Sequence, residues 1–281
     1  MSRFAPGNTG PVGYDPVTQR TGKTVGRGCG CAAVLAIVLV VALVGWSLSF
    51  LGAPSPVRKL APVPENVPPE APAEVAEINV HAPGRTADKL TYWAQDLSEQ
   101  TGIPGQALRA YGNAELIARY SWPGCNLRWN TLAGIGYVET RHGTYSGNWF
   151  KPSSLDDNGY PQPPIVGISL DGTNNTAEIP DTDNGEFDGD TEYDRAVGPM
   201  QFIPESWKRV GVDANGDGHP DPNQIDDAAA GAAKLLCVDG RDLSHEQGWV
   251  DGVFAYNQSG EYVRKVAAAA NSYAVGQPAT S

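Results

Sequence analysis

From Ala32 to Leu51 the chain runs without a single charged residue and is mostly Val, Leu, Ala and Ile. At 1.5 Å rise per residue a helix of this length covers ~30 Å, the thickness of a bilayer core, so the sequence predicts a transmembrane anchor over residues 32–52. Arg20, Lys23 and Arg27 precede the run. The positive-inside bias then sets the N-terminus in the cytoplasm and everything after the anchor on the outer side of the cell membrane. A cleaved signal peptide is the competing reading. Against it stand the length of the run and the crowding of Pro54 and Pro56 around the small residue Ala53.

The charges divide at the same place. Of 20 Lys+Arg and 32 Asp+Glu, four basic residues and only Asp15 precede Ala32, which leaves sixteen basic and thirty-one acidic residues beyond it. A chain this acidic is a poor partner for nucleic acid. Residues 1–31, rich in Gly, Pro and Thr, lack the apolar content to fold and are expected to form a disordered cytoplasmic tail. Residues 53–85 hold Pro54, Pro56, Pro62, Pro64, Pro68, Pro69, Pro72 and Pro83, a density that predicts an extended linker rising ~3.1 Å per residue.

A helical pattern begins near Thr86. Leu90, Trp93 and Leu97 recur at helical spacing up to Gly102, and Leu108, Tyr111, Leu116 and Ile117 do so up to Ser121. A third helix is expected from Asn130 as N-cap to Gly143, with Leu132, Ile135 and Glu139 on one face. Residues 144–200 are dense in Gly, Pro, Asn and Asp and read as a long loop, with a hairpin around Ile165–Leu170. Helices resume at Pro204–Val210, Gln224–Val238, Ser244–Ala255 and Ser259–Ala274. The expectation is one mainly α domain over residues 86–275, with 276–281 as a disordered end.

The four cysteines fall into two pairs. Cys29 and Cys31 precede the apolar run on the reducing side, whereas Cys125 and Cys237 lie in the exported part, where a disulfide between them is expected. The alternative is a pair of buried free thiols. No second Cys or His stands at zinc-ligand spacing from either.

Glu139 lies in Gly134-Ile135-Gly136-Tyr137-Val138-Glu139-Thr140-Arg141-His142-Gly143, near the end of an otherwise apolar helix. Partial burial there raises the pKa of a carboxyl group, as a general acid requires. Read without context, the same residue is a helix-end Glu paired with Arg141 or Arg195. The run Gly136–Gly143 resembles the catalytic motif of B-type lytic murein transglycosylases. Two further blocks agree in order and spacing, Ala196-Val197-Gly198-Pro199-Met200-Gln201-Phe202-Ile203-Pro204-Glu205-Ser206-Trp207 and Ala255-Tyr256-Asn257-Gln258-Ser259-Gly260-Glu261-Tyr262. The resemblance covers roughly Trp93 to Tyr273 and implies an α+β lysozyme-like fold acting on peptidoglycan glycan strands. It implies Glu139 as the single acid/base, with Gln201, Tyr256, Asn257 and Tyr262 as sugar-binding or positioning residues. It also implies cleavage of the MurNAc–GlcNAc bond by the muramyl C6 hydroxyl, which leaves a 1,6-anhydro end. A hydrolytic muramidase acting on the same bond and a non-catalytic, calcium-stabilised wall-binding module are the alternatives.

Asp213-Ala214-Asn215-Gly216-Asp217-Gly218-His219 sets oxygen ligands at positions one, three and five and Gly at six, as in an EF-hand calcium loop. Position twelve is Gln224, which cannot supply a bidentate carboxylate. The resembled family closes a longer loop on a later Asp, which implies Asp227, with Asp226 as its rival and the His219 backbone carbonyl as a further ligand. Between Asp171 and Asp194 the acidic residues run without Lys or Arg. That stretch reads as a solvated loop, with a second cation site or a role for Asp194 in orienting the Gln201 block as alternatives.

Overall fold

The computed structural model describes residues 60–145, 147, 150–174 and 176–280. The expected tail, the anchor, the Cys29–Cys31 pair and the linker before Leu60 lie outside them. Among the described residues no helix is long and apolar enough to cross a membrane.

Among the described residues seven α-helices carry the fold: α1 Thr91–Thr101, α2 Gly105–Ser121, α3 Trp129–Thr140, α4 Pro204–Val210, α5 Ile225–Cys237, α6 Glu246–Tyr256 and α7 Gly260–Ala274. The two most extensive helix pairings are α3 with α7 and α2 with α5. Helix α3 is buried along most of its length, which is why its apolar residues occupy every face instead of one stripe. Close approach needs missing side chains. A Cβ on Gly134 would stand 2.7 Å from the Val266 carbonyl of α7, and one on Gly136 would stand 2.1 Å from the Tyr111 hydroxyl of α2.

The start of α3 differs from expectation. It begins at Trp129, and the Trp129 N–H donates to Oε2 of Glu115 at 2.7 Å. Glu115 is a buried acid on α2, tied also to Arg119 at 3.0 Å. Asn130 is therefore no N-cap. Its amide reaches the carbonyls of Glu70 and Ala270.

Between α3 and α4 the loop contains two small antiparallel sheets. Strand β1 (Ser154–Leu155) pairs with β2 (Pro161–Gln162), and β3 (Val166–Ser169) pairs with β4 (Arg195–Val197). The hairpin expected at Ile165–Leu170 is thus one strand whose partner comes after the acidic stretch. That stretch is only partly a run of solvated charge: Glu178, Glu186 and Glu192 are exposed, whereas several of its aspartates satisfy its own backbone. Asp183 accepts from the N–H groups of Gly185 and Phe187, Asp188 from Asp190 and Arg195, and Asp190 from Glu192 and Tyr193. Asn, Asp and Gly at short spacing form such local turns in place of strand ladders.

Residues 60–85 were expected to be a free linker, and they do lack helix and strand up to Arg85. They are nevertheless laid along the helical body. The indole N–H groups of Trp93 and Trp129 donate to the carbonyls of Glu74 and Ala73 at 2.8 and 2.9 Å. Asn271 on α7 accepts from the Glu70 N–H and donates to the Asn66 carbonyl, and Val75 is buried in the core. A proline-rich strand leaves its carbonyls unpaired, and polar side chains on the helices take them up. The C-terminal residues are held in the same manner rather than free. Gln277 is buried and donates to the Ala61 carbonyl, and the Ala279 carbonyl accepts from the Tyr137 hydroxyl.

Cys125 and Cys237 are joined, with their Cα atoms 5.3 Å apart across a sequence separation of 112. The bridge ties the segment before α3 to the end of α5. Replacing both cysteines by alanine is expected to cost roughly 3–5 kcal/mol of stability through the longer unconstrained loop of the unfolded chain. Denaturant midpoints of the two proteins measure this, and coincident midpoints would remove the bridge from the stabilising interactions.

Candidate functional site

Glu139 lies in the last turn of α3, partly buried, and the Tyr262 hydroxyl of α7 donates to its Oε1 at 2.6 Å. Burial pushes the Glu139 carboxyl up to about 7, against the smaller downward pull of the Tyr262 hydrogen bond. No second carboxylate contributes to that shift. The pairing with Arg141 or Arg195 is not formed. Arg141 lies over the Tyr137 ring at 3.9 Å, and Arg195 pairs with Asp190 at 2.8 Å. Burial, and then the charge of Glu139, raises the Tyr262 phenol, so Tyr262 keeps its proton and remains a donor.

Tyr256, at the end of α6, stacks beside Tyr262 with ring centroids 6.4 Å apart and planes inclined by 6°. Its hydroxyl donates to the Met200 carbonyl at 2.6 Å. Thr140, the neighbour of Glu139, donates through its hydroxyl to the Pro199 carbonyl at 2.5 Å. These two bonds fasten the Gly198–Gln201 turn to the two helices around Glu139. Gln201 itself has a left-handed backbone (φ 51°), and its amide donates to the Gly198 carbonyl at 3.1 Å. Asn257 is the exposed C-cap of α6, one residue from Tyr256. Glu139, Tyr262 and Tyr256 are thus drawn into one cluster, with Gln201 on the adjoining turn and Asn257 at its edge.

What fixes the end of α3 was not legible in the sequence. Arg141, His142 and Gly143 follow one another at φ 53°, 63° and 81°, a reversal that two non-glycine residues adopt only when their surroundings enforce it. His142 is the enforcing group. It is 4% exposed, its Nδ1 lies 3.1 Å from the Tyr111 hydroxyl, and its Nε2 lies 2.8 Å from the Tyr273 hydroxyl. Burial, and then the charge of Arg141, lowers its pKa to about 3. The ring is therefore neutral, with one nitrogen donating and the other accepting. The Glu-x-x-His spacing of Glu139 and His142 was visible, but nothing in the sequence tells that Tyr111 and Tyr273 meet that ring.

Of the two acidic regions, Asp213–Asp227 folds as a loop around its own carboxylates. Asp213 accepts from the N–H groups of Gly216 and Gly218 at 2.7 and 2.9 Å, and the Asn215 amide donates to Asp217 at 2.9 Å. The His219 N–H donates to Asp217, and its side chain is exposed. Asp227 is buried and turned to the loop, accepting from Ala214, Asn215 and Asp221, whereas its rival Asp226 turns to Arg85 at 2.6 Å. Burial holds the Asp227 carboxyl up at about 7, with the Asp213 charge adding to it. The neighbouring Tyr160 phenol is raised to about 12 by burial and by Asp221, Asp217 and Asp227. An all-oxygen donor set under this excess of negative charge fits a hard divalent cation in its chemistry. Among the described residues, a compact group of three carboxylates lies in the other region. Asp181, Asp183 and Asp194 bring one oxygen each within 4.8 Å of one another, an arrangement able to take a metal ion. Asp194 is fully buried there and also accepts from the Glu205 N–H at 3.3 Å, which links the acidic stretch to the first turn of α4.

With this geometry in place, residues 178–260 match the family model of the transglycosylase SLT domain. The matched stretch includes Gln201, Tyr256, Asn257, the Asp213–Asp227 loop and the acidic stretch from Glu178 on, but ends before Tyr262 and begins after Glu139. No curated protein and no solved structure matches the chain.

The burial of Glu139 has a consequence for stability. Its folded-state pKa, about 7, lies above the ordinary value of 4.5, so the stability it contributes is fully present below the unfolded value and is lost as pH rises through the folded one. Glu139→Gln removes this titration. The stability of Glu139→Gln relative to wild type is expected to grow by ~1–3 kcal/mol between pH 5 and pH 8. Denaturant titrations at the two pH values check it, and a constant difference would mean that the carboxyl titrates normally.

Proposed function

We propose that the domain is a lytic transglycosylase that cleaves the MurNAc–GlcNAc β-1,4 bond of peptidoglycan, with Glu139 as its single acid and base. The observation that carries this reading is the lone carboxyl of Glu139, raised to about 7 without help from another acid. Conventional glycosidases place two carboxylates ~5–9.5 Å apart, one for each side of the sugar. With one carboxylate, the substrate has to supply the second function. The Glu139 carboxylic acid protonates the glycosidic oxygen as the C1–O bond breaks. The resulting carboxylate takes the proton of the muramyl C6 hydroxyl as its oxygen bonds to C1. Water is not consumed, and Glu139 returns to its acid form.

The surrounding residues serve that cycle. Tyr262 orients the carboxyl and loses its hydrogen-bond partner in neither state, since a carboxylate accepts as well as a carboxylic acid does. Tyr256 offers an apolar face with a polar rim to a sugar ring, and Gln201 and Asn257 offer donors and acceptors to hydroxyl and acetamido groups. The aspartates Asp181, Asp183 and Asp190 of the acidic stretch are poor sources of a second base for a muramidase, because their carboxylates are engaged by backbone N–H groups. The match to the transglycosylase SLT domain supports the substrate class. The chain is read as anchored in the cell membrane by residues 32–52, with this domain on the outer side.

The Asp213, Asn215, Asp217, His219-carbonyl and Asp227 loop is read as a structural calcium site. The ion would neutralise the loop's carboxylates and leave Glu139 alone.

Glu139→Gln is expected to lower cleavage of peptidoglycan by at least ~10²–10⁴-fold, since one group performs both proton transfers. Mass spectrometry of wild-type digests should find 1,6-anhydromuramyl ends, lighter by one water than reducing ends. Reducing ends alone would make the enzyme a muramidase, and full activity in Glu139→Gln would leave a wall-binding module.

Chelation is expected to lower the melting temperature of the wild type, because an ion bound only by the folded state at a hundredfold excess over its dissociation constant adds ~2.7 kcal/mol. Asp217→Ala should remove the response to calcium. Superimposed melting curves with and without chelator would leave the loop as a plain turn.

A further inference from the structure

The Gly198–Gln201 turn belongs to no helix or strand and is held from outside. Its ends are closed by Val197 and Phe202, whose backbone groups exchange two hydrogen bonds at 2.9 and 3.0 Å. Within it Pro199 has no N–H to offer, and Pro199 and Met200 are both buried, so their carbonyls need donors from elsewhere. Each receives a hydroxyl from a helix of the site: Met200 that of Tyr256, and Pro199 that of Thr140, the residue after Glu139. Thr140 is 2% exposed and its hydroxyl is used in both directions. Oγ1 accepts the Gly143 N–H at 2.7 Å, which leaves its single proton for the Pro199 carbonyl at 2.5 Å. One oxygen atom is therefore shared by the reversal that ends α3 and the turn that carries Gln201. The two pieces also touch, since a Cβ on Gly143 would stand 3.3 Å from the Pro199 Cβ. Among the described residues no other hydrogen bond runs between α3 and this turn.

We propose that Thr140 is a positioning residue of the cleavage reaction: its hydroxyl sets the Gln201 turn against the end of α3, so that a sugar held by Gln201 meets the Glu139 carboxyl. The inference rests on the transglycosylase reading. Thr140 is buried and its hydroxyl is fully engaged, so it acts on the sugar only through the turn. The acid and the turn come from parts of the chain some sixty residues apart, and nothing in either part alone fixes the distance between them. A methyl group in place of the hydroxyl strips two buried polar groups of their partner at once, the Gly143 N–H and the Pro199 carbonyl. The turn then keeps its own shape through the Val197–Phe202 closure but loses its tie to α3. A displacement of ~1 Å between bound substrate and catalytic group costs on the order of a hundredfold in rate.

The test uses the full chain and soluble peptidoglycan strands, at a temperature where denaturant titration shows each variant folded. In Thr140→Val, kcat/KM is expected to fall about ten- to hundredfold, mainly through kcat, because the sugar is still bound but badly presented. Thr140→Ser, which keeps the hydroxyl, should return to within about threefold of the wild type. Should Thr140→Val not fold, Thr140→Ala is judged by the same criteria. A hydroxyl that only stabilised the fold would lower the denaturant midpoint and leave kcat of the folded protein unchanged. The decisive comparison is a double-mutant cycle with Gln201→Ala: if Thr140 acts through the turn, Thr140→Val should cost little more once Gln201 is gone. Cleavage by Thr140→Val within about threefold of the wild type, or a full further loss in the Gln201→Ala background, overturns the positioning role and leaves the enzyme reading intact. Absence of cleavage by the wild type ends both.

Discussion

The site depends on how one buried helix is held at its two ends. Helix α3 makes few exposed contacts of its own, so its position is set by groups that reach it from elsewhere. Glu115 of α2 meets its first N–H, and the His142 ring between Tyr111 and Tyr273 fixes the reversal that ends it. Both anchors are buried and polar, and each leaves an unsatisfied partner costing ~1–3 kcal/mol if broken. Glu139 inherits its place and its environment from this arrangement. Its own bond to Tyr262 adds orientation but could not by itself locate the helix.

The same economy explains the two glycines in the motif. Gly134 and Gly136 let α7 and the Tyr111 hydroxyl approach the helix axis. Tyr111 then reaches His142, which closes the helix one turn later. A motif whose residues look like a list of separate requirements is one packing solution, in which the missing side chains, the buried imidazole and the acid depend on each other.

Helix positions in the second half of the chain were legible because apolar spacing and cap residues agree there. Helix α4 coincides with its expected span, and α5 and α7 begin within a residue of it. Glu139, Tyr256 and Tyr262 were legible as a group through their motifs. Asp227 was already favoured over Asp226 from the sequence; what was not legible is that Arg85 engages Asp226, since adjacent residues on a helix point ~100° apart and Arg85 is remote in sequence. The start of α3 was misread because its cap is Glu115, remote in sequence, whereas cap rules look only to near neighbours. The pairing of β3 with β4 was hidden for the same reason. Proline density in residues 60–85 agrees with the absence of helix and strand there. It carried no information about whether that chain lies free or is received by Trp93, Trp129 and Asn271.

That last feature redraws the edge of the smallest piece of this protein that can stand alone. Judged by regular secondary structure, a fragment would begin at the short 3-10 turn Thr86–Leu90. Cutting there would strip the indole N–H groups of Trp93 and Trp129 of their acceptors, take both polar partners from Asn271 and one from Asn130, and open Val75's place in the core. Most of these losses fall on α1, α3 and α7, the last two of which carry Glu139 and Tyr262. The irregular chain before Thr86 is thus a wall of the domain that happens to have no repeating backbone pattern.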